Sequence, residues 1–318
     1  MEGPQDEYRG TPLWPLGVLL AVFAVADLMI VPTMFNDGPR SDGLVLIGVL
    51  MGLMASQAGL VTLWAVFGAH PWALRWLTTL AAAELLLVAF LVGIILGGDP
   101  PRSLEEFAGG PLCLPLAFLI LQAPLWLFRA ITGWQIVPRD REETSRGARQ
   151  FGIVDLLAAT TFTALALGLT QVAFSLGNDG RAETPGALLG LVFGFAIAAA
   201  VNALLSLPCL WAVFAARKKP RAVGVLVVYY ALLGIALLAL LAVMTDGSLP
   251  PTEAVGFTVV FEVVVVAVLV GGLCLIRAGP YGLLRPRRKR AAADGGTSPF
   301  APVEREERSP GESLKAES

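Results

Sequence analysis

Residues 43–67 read GLVLIGVLMGLMASQAGLVTLWAVF and contain no charged side chain. A helix rises about 1.5 Å per residue, so a stretch of this length exceeds the ~30 Å of hydrocarbon in a bilayer. The stretch is therefore predicted to cross a membrane as an α-helix.

The same composition recurs along the chain, whose 318 residues are 56% hydrophobic and only 15% charged, with a mean hydropathy of +0.71. Soluble domains carry about 25% charged residues, so these values exclude a soluble globular enzyme, a disordered chain and a nucleic-acid-binding protein. The predicted fold class is an all-α, polytopic membrane helix bundle whose main partner is the lipid bilayer. Eight segments are predicted to span it: 14–35, 43–67, 74–97, 111–128, 151–177, 187–214, 222–244 and 255–276.

Lys and Arg predict the orientation of these segments, because loops on the cytoplasmic side are enriched in both. With the N-terminus in the cytoplasm and eight alternating helices, 20 of the 23 basic residues fall on the cytoplasmic side. We therefore expect a multi-pass protein of the cell (inner, cytoplasmic) membrane with both termini in the cytoplasm. Residues 1–13 are then a cytoplasmic N-terminal segment, whose acidic character argues against a cleaved signal peptide.

Residues 43–67 and 190–214 resemble each other at an offset of 147 positions. Both begin Gly-Leu-Val and end Leu-Trp-Ala-Val-Phe. Residues 127–130 (Leu-Phe-Arg-Ala) and 275–278 (Leu-Ile-Arg-Ala) are related by an offset of 148. Apolar helices also resemble one another by composition alone, and that alternative stays open. The favoured interpretation is a 4+4 parallel internal repeat, 14–128 and 151–276, within a transmembrane domain 14–276 and linked by a cytoplasmic loop, 129–150.

The tail is predicted to differ from the bundle. Residues 277–318 begin with basic residues, and 291–318 have almost no large apolar side chain, so this part is expected to be disordered. The basic run could attract anionic lipid or could act only in setting the topology. Its residues are Arg285, Arg287, Arg288, Lys289 and Arg290.

A family resemblance appears around residues 115–170. Residues 149–160 read RQFGIVDLLAAT, and Gln122-Ala123-Pro124-Leu125-Trp126 and Gly133-Trp134 lie upstream. These short motifs resemble segments of uncharacterised bacterial multi-pass membrane proteins. The resemblance implies a bacterial inner-membrane setting and no particular activity.

Polar residues within the apolar segments are the candidate functional site, because a carboxyl group at mid-membrane costs roughly 2.5–3.5 kcal/mol or more. With no basic residue at mid-membrane to pair with them, the acids are expected to be protonated. They could form a proton-linked or cation-linked solute path, or they could be packing groups hydrogen-bonded to neighbouring helices. The candidates are Glu84, Glu262, Asp27, Gln57, Gln122 and Asn202.

Catalytic and cofactor motifs are missing from the sequence. Neither a nucleophile elbow, a P-loop, a zinc-protease motif nor a dinucleotide-binding motif is found. His70 is the sole histidine, and the three cysteines form no metal-binding pattern. We therefore expect no catalytic residue, no metal and no cofactor. The predicted function is a non-enzymatic integral membrane protein of unknown role, with a proton- or cation-linked small-solute or lipid transporter as the alternative.

Overall fold

The structure is a computed structural model that describes residues 14–36, 43–68, 72–98, 104–138, 185–216, 219–245, 250–279 and 281–284, and residues 163, 164, 166–168 and 170. Long helices dominate the described part. They are α1 (Trp14–Asn36), α2 (Gly43–Phe67), α3 (Trp72–Leu96), α4 (Leu104–Thr132), α5 (Pro185–Leu210), α6 (Lys219–Met244) and α7 (Pro251–Ala278). A π-helical turn, Trp211–Ala215, extends α5, and two short strands, β1 (Gln135–Pro138) and β2 (Tyr281–Leu284), are also present in the described part.

Each of these seven helices is long and apolar enough to cross a membrane, judged by length and composition. Their outward faces carry large exposed apolar side chains such as Met29, Leu77 and Val227, which suit contact with lipid. The chain is therefore an integral, multi-pass membrane protein with an α-helical bundle. The predicted span 151–177 and the predicted disordered tail 291–318 fall largely or wholly outside the described residues.

Helix α2 occupies the centre of the bundle and packs chiefly against α7. Two glycines allow the close approach: a Cβ atom on Gly48 would lie 3.0 Å from the backbone oxygen of Phe257, and one on Gly52 would lie 2.9 Å from that of Phe261. Small residues favour helix association in membranes in this way. Gly190 and Gly194, which have the same spacing on α5, are instead exposed and have no described atom near a built Cβ.

Helix α1 packs chiefly against α3, and α4 against α5. At the α1–α3 contact, a Cβ atom on Gly93 would lie 2.8 Å from Cβ of Val31. Helix α4 starts seven residues before the predicted span 111–128 and ends four residues after it. Its three internal prolines, Pro111, Pro115 and Pro124, therefore lie within one continuous helix.

Strands β1 and β2 pair in antiparallel orientation, with Ile136 opposite Leu283 and Val137 opposite Gly282. Ile136 and Tyr281 are almost fully buried, and the Tyr281 ring meets the Trp64 ring edge-on at 5.3 Å between centroids. The purely helical fold predicted from the sequence misses this small sheet, because its segments are only four residues long and follow directly on two membrane helices.

Candidate intramembrane polar site

Asp27 and Gln57 form a hydrogen-bonded pair between α1 and α2. The Gln57 Nε2 atom donates to Asp27 Oδ1 at 2.9 Å, and the two side chains are only 1% and 5% exposed. The second carboxyl oxygen, Oδ2, is also buried and has no hydrogen-bond partner among the described residues. Burial of a polar atom without a partner is costly, so this oxygen is the point in the pair where a proton or a polar ligand would be stabilised.

A second polar cluster joins α2 to α5. The Asn202 Nδ2 atom donates to Thr62 Oγ1 at 3.0 Å, and Ser206 Oγ donates to Asn202 Oδ1 at 3.3 Å. Gly59 makes room for it, since a Cβ atom there would lie only 2.7 Å from Ser206 Oγ. All four residues named in this cluster are small or polar, so α2 and α5 approach closely and bond through their side chains.

The cavity between α2, α3 and α4 lies between these two clusters. Its volume is about 150 Å³, and its wall is apolar apart from Gln57 and Thr62. These residues are five positions apart on α2, and each is bonded to a different helix. The cavity therefore contacts one polar group of each cluster within an otherwise hydrocarbon-like interior.

Gln122, Glu262 and Glu84 lie elsewhere. Gln122 is fully buried on α4, where its Oε1 accepts a 3.3 Å bond from Trp126 Nε1 and its Nε2 has no described partner. The carboxyl group of Glu262 on α7 rests against Gly234 of α6, where a Cβ atom would lie 2.8 Å from Oε2. Glu84 is half-buried on α3, and the residues described around it include no hydrogen-bond partner.

The six predicted residues are therefore distributed over several helix contacts. The structure brings together Asp27 with Gln57, and it places Asn202 beside Thr62 and Ser206, which the sequence analysis missed. The spacing of Asn202 and Ser206, four positions apart on one helix face, could have indicated Ser206, whereas no spacing in the sequence relates Thr62 to them. Neither Glu84 nor Glu262 lines the cavity that contacts Gln57 and Thr62.

Arginine side chains bind the C-terminal ends of two helices. Arg75 Nη1 donates to the carbonyls of Val66 (2.9 Å) and Gly68 (3.0 Å), and Arg129 Nη1 also donates to Val66. Arg277 Nη1 donates in the same way to Val213, in the π-helical turn. The last carbonyls of a helix have no partner within the helix, and cations at that end are favourable. These arginines therefore satisfy backbone groups that the membrane would leave unpaired.

Trp126 lies between two of these cations, with its ring centroid 5.7 Å from Cζ of Arg75 and 5.2 Å from Cζ of Arg129. Cation–π attraction of this kind contributes about 0.5–2 kcal/mol, depending on desolvation. The ring thus favours the presence of two like charges at one helix end.

No cluster of three or more His, Cys, Asp or Glu suited to a metal ion occurs within the described residues. Cys113, Cys209 and Cys274 are free thiols. The Arg285–Arg290 run, predicted to contact anionic lipid, lies outside the described residues.

No protein-family model, curated protein or solved structure matches the chain.

Proposed function

We propose that the chain is a non-enzymatic protein of the bacterial cytoplasmic membrane, with eight membrane helices in two parallel four-helix repeats and both termini in the cytoplasm. The paired arginine caps carry the repeat in this proposal, and the distribution of Lys and Arg carries the orientation. Arg129 binds Val66 and Arg277 binds Val213, and the two carbonyls belong to the two Leu-Trp-Ala-Val-Phe segments. Matching donors and matching acceptors therefore recur at offsets of 148 and 147 positions.

Two contacts between equivalent residues support the same proposal. Ile136 pairs with Leu283, and Gly59 touches Ser206; each pair is separated by 147 positions. A residue of one repeat can contact the equivalent residue of the other repeat only if both lie beside the twofold axis that relates the two repeats. An axis through both contacts would exchange α2 with α5 and α4 with α7, which agrees with the packing of α2 on α7 and of α5 on α4.

The role favoured for the buried polar residues is structural. Gln57 bonds α2 to Asp27 of α1, and Thr62 bonds α2 to Asn202 of α5. Bonds of this kind contribute about 0.6–2 kcal/mol each in membrane proteins. They would fix α2 in its rotation relative to its neighbours, because a rotated helix would expose the polar groups to hydrocarbon.

Topology reporters test the helix count and the orientation. Fusions at Ser145 and Arg181 flank the fifth predicted span and should report opposite sides, with Ser145 in the cytoplasm. Fusions after Ala291 and within residues 245–254 should also report opposite sides. A shared side for Ser145 and Arg181 would refute the eight-helix arrangement, and a periplasmic Ala291 would refute the orientation.

A second candidate function is proton- or cation-linked transport of a small solute or lipid. The unpartnered Oδ2 of Asp27 favours it, since intramembrane carboxyl groups mark proton and ion pathways. Parallel repeats also occur in one class of transporters. Proton uptake into proteoliposomes under an imposed potential tests this candidate. Uptake that is lost in Asp27→Asn and kept in Glu84→Gln would support an Asp27 path, and uptake equal to protein-free vesicles would refute it.

A further inference from the structure

A cavity of about 230 Å³ lies among α1, α2 and α3, with Ile276 of α7 also in its wall. Two turns of α1, from Leu16 to Phe23, form one wall, and Leu60, Val61 and Trp64 of α2 form the floor. Thr78, Thr79 and Ala82 of α3 form the opposite wall. The cavity lies towards the N-terminal ends of α1 and α3, the end of the bundle that carries Arg75.

The wall of this cavity is apolar even where it contains hydroxyl groups. Thr78 Oγ1 donates to the carbonyl of Leu74 at 2.8 Å, and Thr79 Oγ1 donates to that of Arg75 at 2.5 Å. Both hydroxyl protons are therefore directed to their own helix. A buried water needs two to four polar partners, and an apolar cavity of about 150 Å³ stays dry and binds small hydrocarbons. A larger cavity of the same character favours a hydrocarbon occupant over water.

The position of the cavity identifies that occupant. Helices α1 and α3 make close contact at Val31 and Gly93, and the cavity lies between them about two to three turns away. Leu77 and Val18, on the outer faces of the same two helices, are exposed in a protein whose surroundings are lipid chains. The most abundant apolar molecule at this depth is a phospholipid acyl chain. We propose that this cavity is a binding site for one acyl chain of a membrane phospholipid, from the leaflet at the Arg75 end of the bundle.

Fluorescence quenching of Trp64 tests the proposal, because this side chain is in the cavity wall and only 2% exposed. The full chain is reconstituted in phosphatidylcholine vesicles with either unbrominated or mid-chain-brominated acyl chains. Trp64→Phe is measured in parallel to isolate the contribution of one of the seven tryptophans. We expect brominated chains to remove Trp64 emission, which is up to about one seventh of the total.

Two neighbouring alanines provide the matched variants. Ala82 lines the cavity, whereas Ala81 on the same helix is exposed. Ala82→Phe should fill the cavity and abolish the quenching of Trp64, and Ala81→Phe should leave it unchanged. Gly17→Phe is a second filling variant, since Gly17 lines the cavity and no atom of the described residues lies within 4 Å of a built Cβ atom there; it decides the question if Ala82→Phe does not fold. Equal quenching in the wild type and in a folded filling variant, or no Trp64 quenching in the wild type, would overturn the proposal.

Discussion

Replacing Gly52 by alanine probes the central contact of the bundle, between α2 and α7. The new Cβ atom would lie 2.9 Å from the backbone oxygen of Phe261 and 3.0 Å from Cβ of Val264. Neither neighbour is the end of a flexible side chain, so the helices themselves must separate. Overpacking of this kind costs about 1–3 kcal/mol, and alanine recovers about 0.5–1 kcal/mol through its better helix propensity. We expect a net loss of about 0–2.5 kcal/mol in the free energy of unfolding.

Gly194→Ala is the matched control, since Gly194 is exposed and no described atom lies within 4 Å of its built Cβ atom. This variant should leave the free energy of unfolding unchanged or raise it by up to about 1 kcal/mol. Reversible unfolding in mixed micelles, followed by circular dichroism, measures both values. If Gly52→Ala is as stable as Gly194→Ala, the α2–α7 contact does not depend on the absence of a side chain, and the packing argument is wrong.

Three further predictions concern the polar contacts. In a double-mutant cycle of Asp27→Leu and Gln57→Leu, each single variant should lower the free energy of unfolding by about 1–3 kcal/mol, because its partner loses a hydrogen bond. A coupling energy between the two substitutions below about 0.5 kcal/mol would contradict the observed bond. Arg277→Gln should destabilise the bundle more than Arg129→Gln in the same unfolding assay, because Arg75 still donates to Val66 after Arg129 is lost; the reverse order would refute this account of the caps. Burial raises the pKa of Tyr281 above its ordinary value of 10.0. The unfolded state therefore ionises first, so stability should fall as the pH rises above about 10, and Tyr281→Phe should reduce this loss; an unchanged pH profile would contradict it.

The membrane-helix character of the chain could be read from its sequence, because twenty or more consecutive apolar residues permit few other structures in a bilayer. The ends of α4 could not be predicted in this way. The helix extends beyond the apolar run that defines the predicted span, to the polar residues Glu105 and Glu106 at its start and Arg129 near its end. Backbone hydrogen bonding continues the helix past the point where hydropathy falls.

The candidate site was only partly predictable. The rarity of polar groups in apolar segments identified Asp27, Gln57 and Asn202, but their partners depend on the rotation of each helix. That rotation is set by close contacts such as those of Gly52 and Gly93, which sequence spacing alone does not determine: Gly190 and Gly194 have the same spacing as Gly48 and Gly52, yet they are exposed. The hydrogen-bond partner of each buried polar side chain is therefore determined by packing between helices that are distant in the chain.

The β1–β2 pairing also bears on the order in which parts of the chain come together during synthesis. Ile136 emerges from the ribosome 147 residues before its partner Leu283, and α2 emerges about 200 residues before its main neighbour α7. Contacts between such distant parts of a chain form late. The glycine face of α2 must therefore remain without its final neighbour during most of synthesis, while nascent helices are added around it. Closure of the small sheet would mark the moment when α7 has joined the bundle, and a chain that ends before Tyr281 would lack that closure.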